Sequence, residues 1–60
     1  MIKEMIKTIN HALFNNEMSI DCAKELLKSI SVMTGKEYGI LRMRVVYKEN
    51  GQFHDAWANA

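Results

Sequence analysis

The two histidines and the single cysteine are the side chains of this sequence best suited to catalysis. Cys22 with His54 could act as a nucleophile and its base, but that chemistry also requires an oxyanion hole and a substrate cleft. A chain of 60 residues leaves little room for such a cleft beside its core. The sequence therefore predicts no catalytic residues and a protein that is not an enzyme.

The spacing of possible metal ligands also argues against a metal site. His11 and His54 fall on different predicted elements, and the sequence has no His-x-x-x-His, Cys-x-x-Cys or Asp-x-Asp pattern. The Gly35-Lys36 pair lacks the preceding glycine and the following Ser or Thr of a phosphate-binding loop. We expect no metal and no cofactor, and we expect the His54 ring to contact a neighbour such as Tyr47.

Basic and aromatic residues are concentrated in the last third of the chain. Residues 36–48 contain four cationic side chains and one acid, a formal charge of +3, whereas the whole chain carries +1. Arginine and tryptophan are the residues most enriched at binding hot spots, and cations readily sit over aromatic rings. The candidate partner-binding residues are Arg42, Arg44, Val46, Lys48, Phe53 and Trp57.

Two amphipathic helices precede this region. Apolar residues at helical spacing predict one helix over about residues 2–14, with Asn10 on its polar side, and a second over about 19–34. Ser19 is a favourable N-cap for the second helix, and Gly35 can end that helix in a left-handed backbone conformation. The short connection makes the two helices antiparallel neighbours.

A β-hairpin is predicted after the helices. Asn50-Gly51 is the preferred two-residue hairpin turn, which gives strands over about 39–48 and 52–58. The predicted register places Tyr47 opposite His54, Lys48 opposite Phe53, and Arg44 opposite Trp57. Alternation then assigns a core face to Leu41, Met43, Val45 and Tyr47, and an outer face to Ile40, Arg42, Arg44, Val46 and Lys48.

These elements predict one small α+β domain over residues 1–60. Two antiparallel helices are followed by a hairpin, in the order ααββ, with both helices packed on one face of the sheet. A two-stranded sheet in a chain of 60 residues is marginal alone, so we expect a homodimer. The outer face would otherwise leave an apolar and basic surface uncovered.

Three kinds of partner fit this outer face: a second copy of the chain, a different protein, or nucleic acid. The acids Glu37, Glu49 and Asp55 lie among the cations and make the nucleic-acid interpretation less favourable. We therefore predict a non-enzymatic interaction module that regulates or inhibits another protein, by analogy of size with phage and bacterial accessory proteins. The alternatives are a nucleic-acid-binding hairpin and a purely structural homodimer.

The N-terminal region and the cysteine content indicate a compartment. Charges interrupt the apolar residues of the first helix, so it resembles neither a signal peptide nor a membrane span. A single cysteine cannot form an intramolecular disulfide. We expect a cytoplasmic protein without a membrane partner, in which Cys22 is a buried or half-buried helix residue.

Overall fold

The computed structural model describes residues 1–57 as two helices followed by a three-stranded antiparallel sheet, an α+β arrangement. Helix α1 spans Ile2–Phe14 and helix α2 spans Ile20–Thr34. The strands are β1 (Glu37–Leu41), β2 (Arg44–Glu49) and β3 (Gln52–Asp55), in the spatial order β1-β2-β3. Residues 58–60, which include the end of the predicted second strand, lie outside the described residues.

Local capping fixes both ends of α2. The Ser19 side-chain oxygen accepts a hydrogen bond from the backbone N–H of Cys22 at 3.1 Å, which satisfies one of the free donors of the first turn. Gly35 ends the helix with a φ of +74°, a conformation that costs glycine little. Cys22 itself is exposed, so the prediction that it is buried or half-buried is wrong.

The third strand is the main departure from the predicted ααββ order. The expected strand over 39–48 is interrupted at Arg42 and Met43, whose φ angles of +53° and +64° lie in the left-handed region. Positive φ at both central residues is the requirement of a type I′ hairpin turn. The chain therefore reverses between Leu41 and Arg44, and β1 pairs antiparallel with β2.

The hairpin at Asn50-Gly51 forms as predicted. These residues have φ angles of +53° and +77°, and they join β2 to β3. The register also agrees with the prediction, with Lys48 opposite Phe53 and Tyr47 opposite His54. Strand β3 ends at Asp55, earlier than expected, because the chain turns at residues 56–57.

The extra turn changes which side chains face the helices. Val45 and Tyr47 belong to the core as predicted, but Ile40 pairs with Val45 and packs against the same core, so its outward assignment is wrong. Leu41 pairs with exposed Arg44 and is itself 47% exposed, contrary to its assignment to the core. The expected alternation fails because Arg42 and Met43 are turn residues, and neither occupies a strand position.

The core lies between the two helices and one face of the sheet. Helix α2 packs mainly on β1 and helix α1 on β2. Apolar side chains of α1, α2 and β2 form one buried cluster, against which partly buried residues of β1 pack. Its largest fully buried members are Ile6, Leu13, Ile30 and Val45. Burial of this apolar surface is the principal stabilising contribution.

One polar side chain of α1 completes the hydrogen bonding of the central strand. The Asn10 side-chain oxygen accepts the backbone N–H of Val45 at 2.6 Å, while the Val45 carbonyl accepts the N–H of Ala56 at 3.2 Å. Asn10 therefore supplies the Val45 N–H with the acceptor that a longer β3 would have provided, because the chain turns away from β2 at residues 56–57. The expectation that Asn10 lies on the solvent side of α1 is wrong, because this side chain is half-buried against the sheet.

The Asn10→Ala substitution should lower the free energy of unfolding by about 1–3 kcal/mol, since it leaves a buried donor without an acceptor. The measurement is urea denaturation followed by circular dichroism. Asn10→Asp keeps an acceptor oxygen at the same position and should recover most of the loss. Equal losses in the two variants would show that the hydrogen bond to Val45 is not the cause.

Candidate functional site

The sheet has a second face, opposite the core, which we call the outer face. Because antiparallel partners point to the same side, the register defines its members. Val46 lies at its centre, between Gly39 on β1 and Asp55 on β3. The other members are Glu37, Leu41, Arg44, Lys48 and Phe53.

The outer face combines an apolar centre with exposed apolar flanks. Val46 is 8% exposed and is absent from the core cluster, so its burial comes from neighbouring side chains of the sheet. Leu41 and Phe53 are 47% and 58% exposed on the two edge strands. A Cβ atom added at Gly39 would meet nothing within 4 Å, so the surface beside Val46 is open. Among the described residues, no helix covers this face.

Charged groups on the outer face occur in balanced numbers. Arg44 and Lys48 supply two cations, and Glu37 and Asp55 supply two carboxylates, which gives a formal charge of zero. The Arg44 guanidinium lies 2.8 Å from a carboxylate oxygen of Asp55. Lys48 lies between Glu37 and Phe53 across the strands, with its Nζ 5.8 Å from the centre of the Phe53 ring, the cation–π contact expected from the sequence.

Trp57 lies at one end of the sheet, beyond β3. Its backbone N–H donates to the second carboxylate oxygen of Asp55 at 2.9 Å, a local bond that directs the chain out of the strand. Lys7 of α1 lies over the indole, with its Nζ 5.8 Å from the ring centre. The expected Arg44–Trp57 pair is thus replaced by Lys7 over Trp57 and Arg44 on Asp55.

The structure divides the six candidate partner-binding residues into three groups. Arg44, Val46, Lys48 and Phe53 share the outer face. Arg42 is exposed in the β1–β2 turn, and Trp57 lies at the sheet end beside α1, 41% exposed. Sequence reasoning missed Leu41 and Glu37, which join the outer face only because β1 is a separate strand.

The core face carries the other aromatic contacts. The rings of Tyr47 and His54 stack with centres 5.2 Å apart, which confirms the predicted neighbour of His54. Tyr38 meets Tyr47 edge-on at 6.1 Å, and the Nζ of Lys36 lies 4.6 Å from the centre of the Tyr47 ring. Because Tyr47 is only 7% exposed, these ring contacts stabilise the packing of the three strands, and Tyr47 offers little surface to a ligand.

Residues 1–57 contain neither a cluster of metal ligands nor a helix that could cross a membrane. No group of three or more His, Cys, Asp or Glu side chains within residues 1–57 is placed to hold a metal ion. Neither α1 nor α2 has the length and apolar character that a membrane crossing requires. Comparison with protein-family models, with characterised proteins and with solved structures gives no match to this chain.

Proposed function

We propose that this chain is a non-enzymatic interaction module that binds another protein through the outer face, and so regulates or inhibits that protein. The observation that carries the proposal is a sheet face without a helix over it, on which exposed Leu41 and Phe53 lie on either side of Val46, itself only 8% exposed. A contiguous apolar surface bordered by charged groups is typical of protein-binding sites.

The charges of the outer face favour a protein over nucleic acid. A phosphate backbone requires several unpaired cations, because the affinity comes largely from the counterions they displace. Here the Arg44 guanidinium already contacts Asp55, and the face as a whole is neutral. A balanced set of charges instead suits the mixed polar rim of a protein surface, where it determines specificity more than affinity.

Photo-cross-linking tests the proposal directly. A chain with p-benzoylphenylalanine in place of Phe53 should form an adduct with a second protein when irradiated in cells that naturally contain it. The same photoreactive residue at Val32, which is 85% exposed on α2, provides the matched control and should form little adduct. Each adduct is then weighed and sequenced by mass spectrometry.

The composition of the adduct decides between the candidate partners. If the only adduct has twice the mass of the chain, the outer face is an interface between copies. That result would overturn the proposal of a separate protein partner. An adduct removed by nuclease would overturn the proposal in favour of nucleic acid. Equal labelling from positions 53 and 32 would show that the outer face has no preferred partner, which also contradicts the proposal.

A further inference from the structure

A second recess lies where α1, the β1–β2 turn and Trp57 meet at the end of the sheet. It is a cavity of about 400 Å³, open to solvent, which we call the end cavity. The side chains that matter for its chemistry are Lys7, Asn10, His11, Phe14, Arg44 and Trp57. Only Arg44 also belongs to the outer face, so the end cavity is largely a separate surface.

The polar lining of the end cavity is suited to an anion. Lys7 and Arg44 are cationic, and His11 adds a ring that can donate a hydrogen bond. No carboxylate of the described chain lines this cavity. Arg44 contacts Asp55 through one of its terminal nitrogens, which leaves other donors of the planar guanidinium for a second acceptor.

The amide of Asn10 increases the excess of donors. Its oxygen accepts the Val45 N–H, which leaves both donors of its NH₂ group for the cavity. The last carbonyls of α1 would disfavour a nearby anion. Three of them, on His11, Ala12 and Leu13, already accept hydrogen bonds from backbone N–H groups of residues 15–17. Donors therefore outnumber acceptors in the polar lining, to which the amide of Asn15 adds groups of both kinds.

The remaining walls of the end cavity are apolar. Trp57 is 41% exposed, and Phe14, at the last position of α1, is 82% exposed. Met43 is 37% exposed and occupies a left-handed turn position that is costly for a residue other than glycine. A ligand that fits this lining carries a negative charge beside an apolar group.

We infer that the end cavity binds an acidic peptide segment of the partner, in which a glutamate or aspartate stands next to a large apolar residue. The inference rests on the proposed function, because it names a second contact with a protein partner. The carboxylate would lie against Lys7, His11 and Arg44, and the apolar side chain against Trp57 and Phe14. A nucleic-acid strand is disfavoured because the cavity offers two full cations, and one of them already contacts Asp55.

Trp57 is the only tryptophan of the sequence, so its fluorescence reports on the end cavity alone. The probe is a capped peptide with a leucine between two glutamates, titrated into the full chain at low ionic strength. We expect a saturable change in Trp57 emission, and at least tenfold weaker binding by the peptide with glutamines in place of the glutamates. Lys7→Gln should weaken binding of the acidic peptide about tenfold, the scale of one charge-assisted hydrogen bond.

Lys28→Gln is the matched control, because Lys28 lies on α2, away from the end cavity, and its ammonium contacts exposed Glu25 at 3.5 Å. It should bind the acidic peptide with unchanged affinity. Equal binding of the two peptides, or no effect of Lys7→Gln, would overturn the inference, as would tighter binding of a thymidine octanucleotide. A failed titration together with a specific adduct from position 53 would reject the end cavity and leave the proposed function standing.

Discussion

Replacing Ile30 by alanine is expected to lower the free energy of unfolding by about 2–5 kcal/mol. Ile30 is fully buried where α2 meets the core, so the substitution removes apolar contacts and leaves a cavity that the surroundings fill only in part. A domain of 60 residues has a total stability of about 3–9 kcal/mol. The loss is therefore a large share of the total stability, and the variant should unfold at a clearly lower temperature and urea concentration than the unchanged chain, as measured by thermal and urea denaturation followed by circular dichroism.

Val32→Ala on the same helix is the matched control. Val32 is 85% exposed and lies two residues from Ile30, so its truncation should change the free energy of unfolding by no more than about 0.5 kcal/mol. Similar losses in the two variants would mean that α2 packs through a different face. A small loss at Ile30 alone would mean that this position is less tightly enclosed than the structure indicates.

The helices were predictable because several local signals agree. Apolar residues recur at helical spacing, Ser19 provides the cap, and Gly35 provides the left-handed stop. Ile6, Ile9 and Leu13 of α1, all on the predicted apolar stripe, are buried. Where spacing, capping and termination indicate the same element, a single sequence is sufficient to place it.

Strand β1 was missed because its turn uses unfavourable residues. A left-handed conformation costs a residue other than glycine about 1–2 kcal/mol, and Arg42 and Met43 both adopt it. No local preference therefore marks the turn. The available signal was a shift in the alternation of core-facing residues. These residues are even-numbered at Tyr38 and Ile40 but odd-numbered at Val45 and Tyr47. One uninterrupted strand cannot place both sets on one face.

The outer face was predictable in part, and the end cavity was not. The register from Asn50-Gly51 places Arg44, Val46, Lys48 and Phe53 on one side without knowledge of the helices. The end cavity instead depends on the crossing of α1 over the sheet, which brings Asn10 against Val45 across 35 positions of sequence. The distance between residues so far apart follows from tertiary packing, which local propensities do not specify.

Val45 and Val46 are adjacent on β2, so one substitution made at each position tests which face is enclosed. Val45 is fully buried against the helices, and Val46 faces the open side of the sheet. Val45→Lys places an ammonium in the core, where removal from water costs several kcal/mol, comparable to the stability of the whole domain. We expect circular dichroism of this variant to show an unfolded chain.

Val46→Lys should leave the fold intact, because the lysine stem can extend from the open face while its ammonium remains in water opposite Asp55. We expect its free energy of unfolding to change by no more than about 1 kcal/mol. The same charge at the centre of the outer face should abolish the protein adduct from position 53, since a contact there would remove the ammonium from water. A folded Val45→Lys would refute the orientation of the sheet. An undiminished adduct from Val46→Lys would instead refute the outer face as the binding surface.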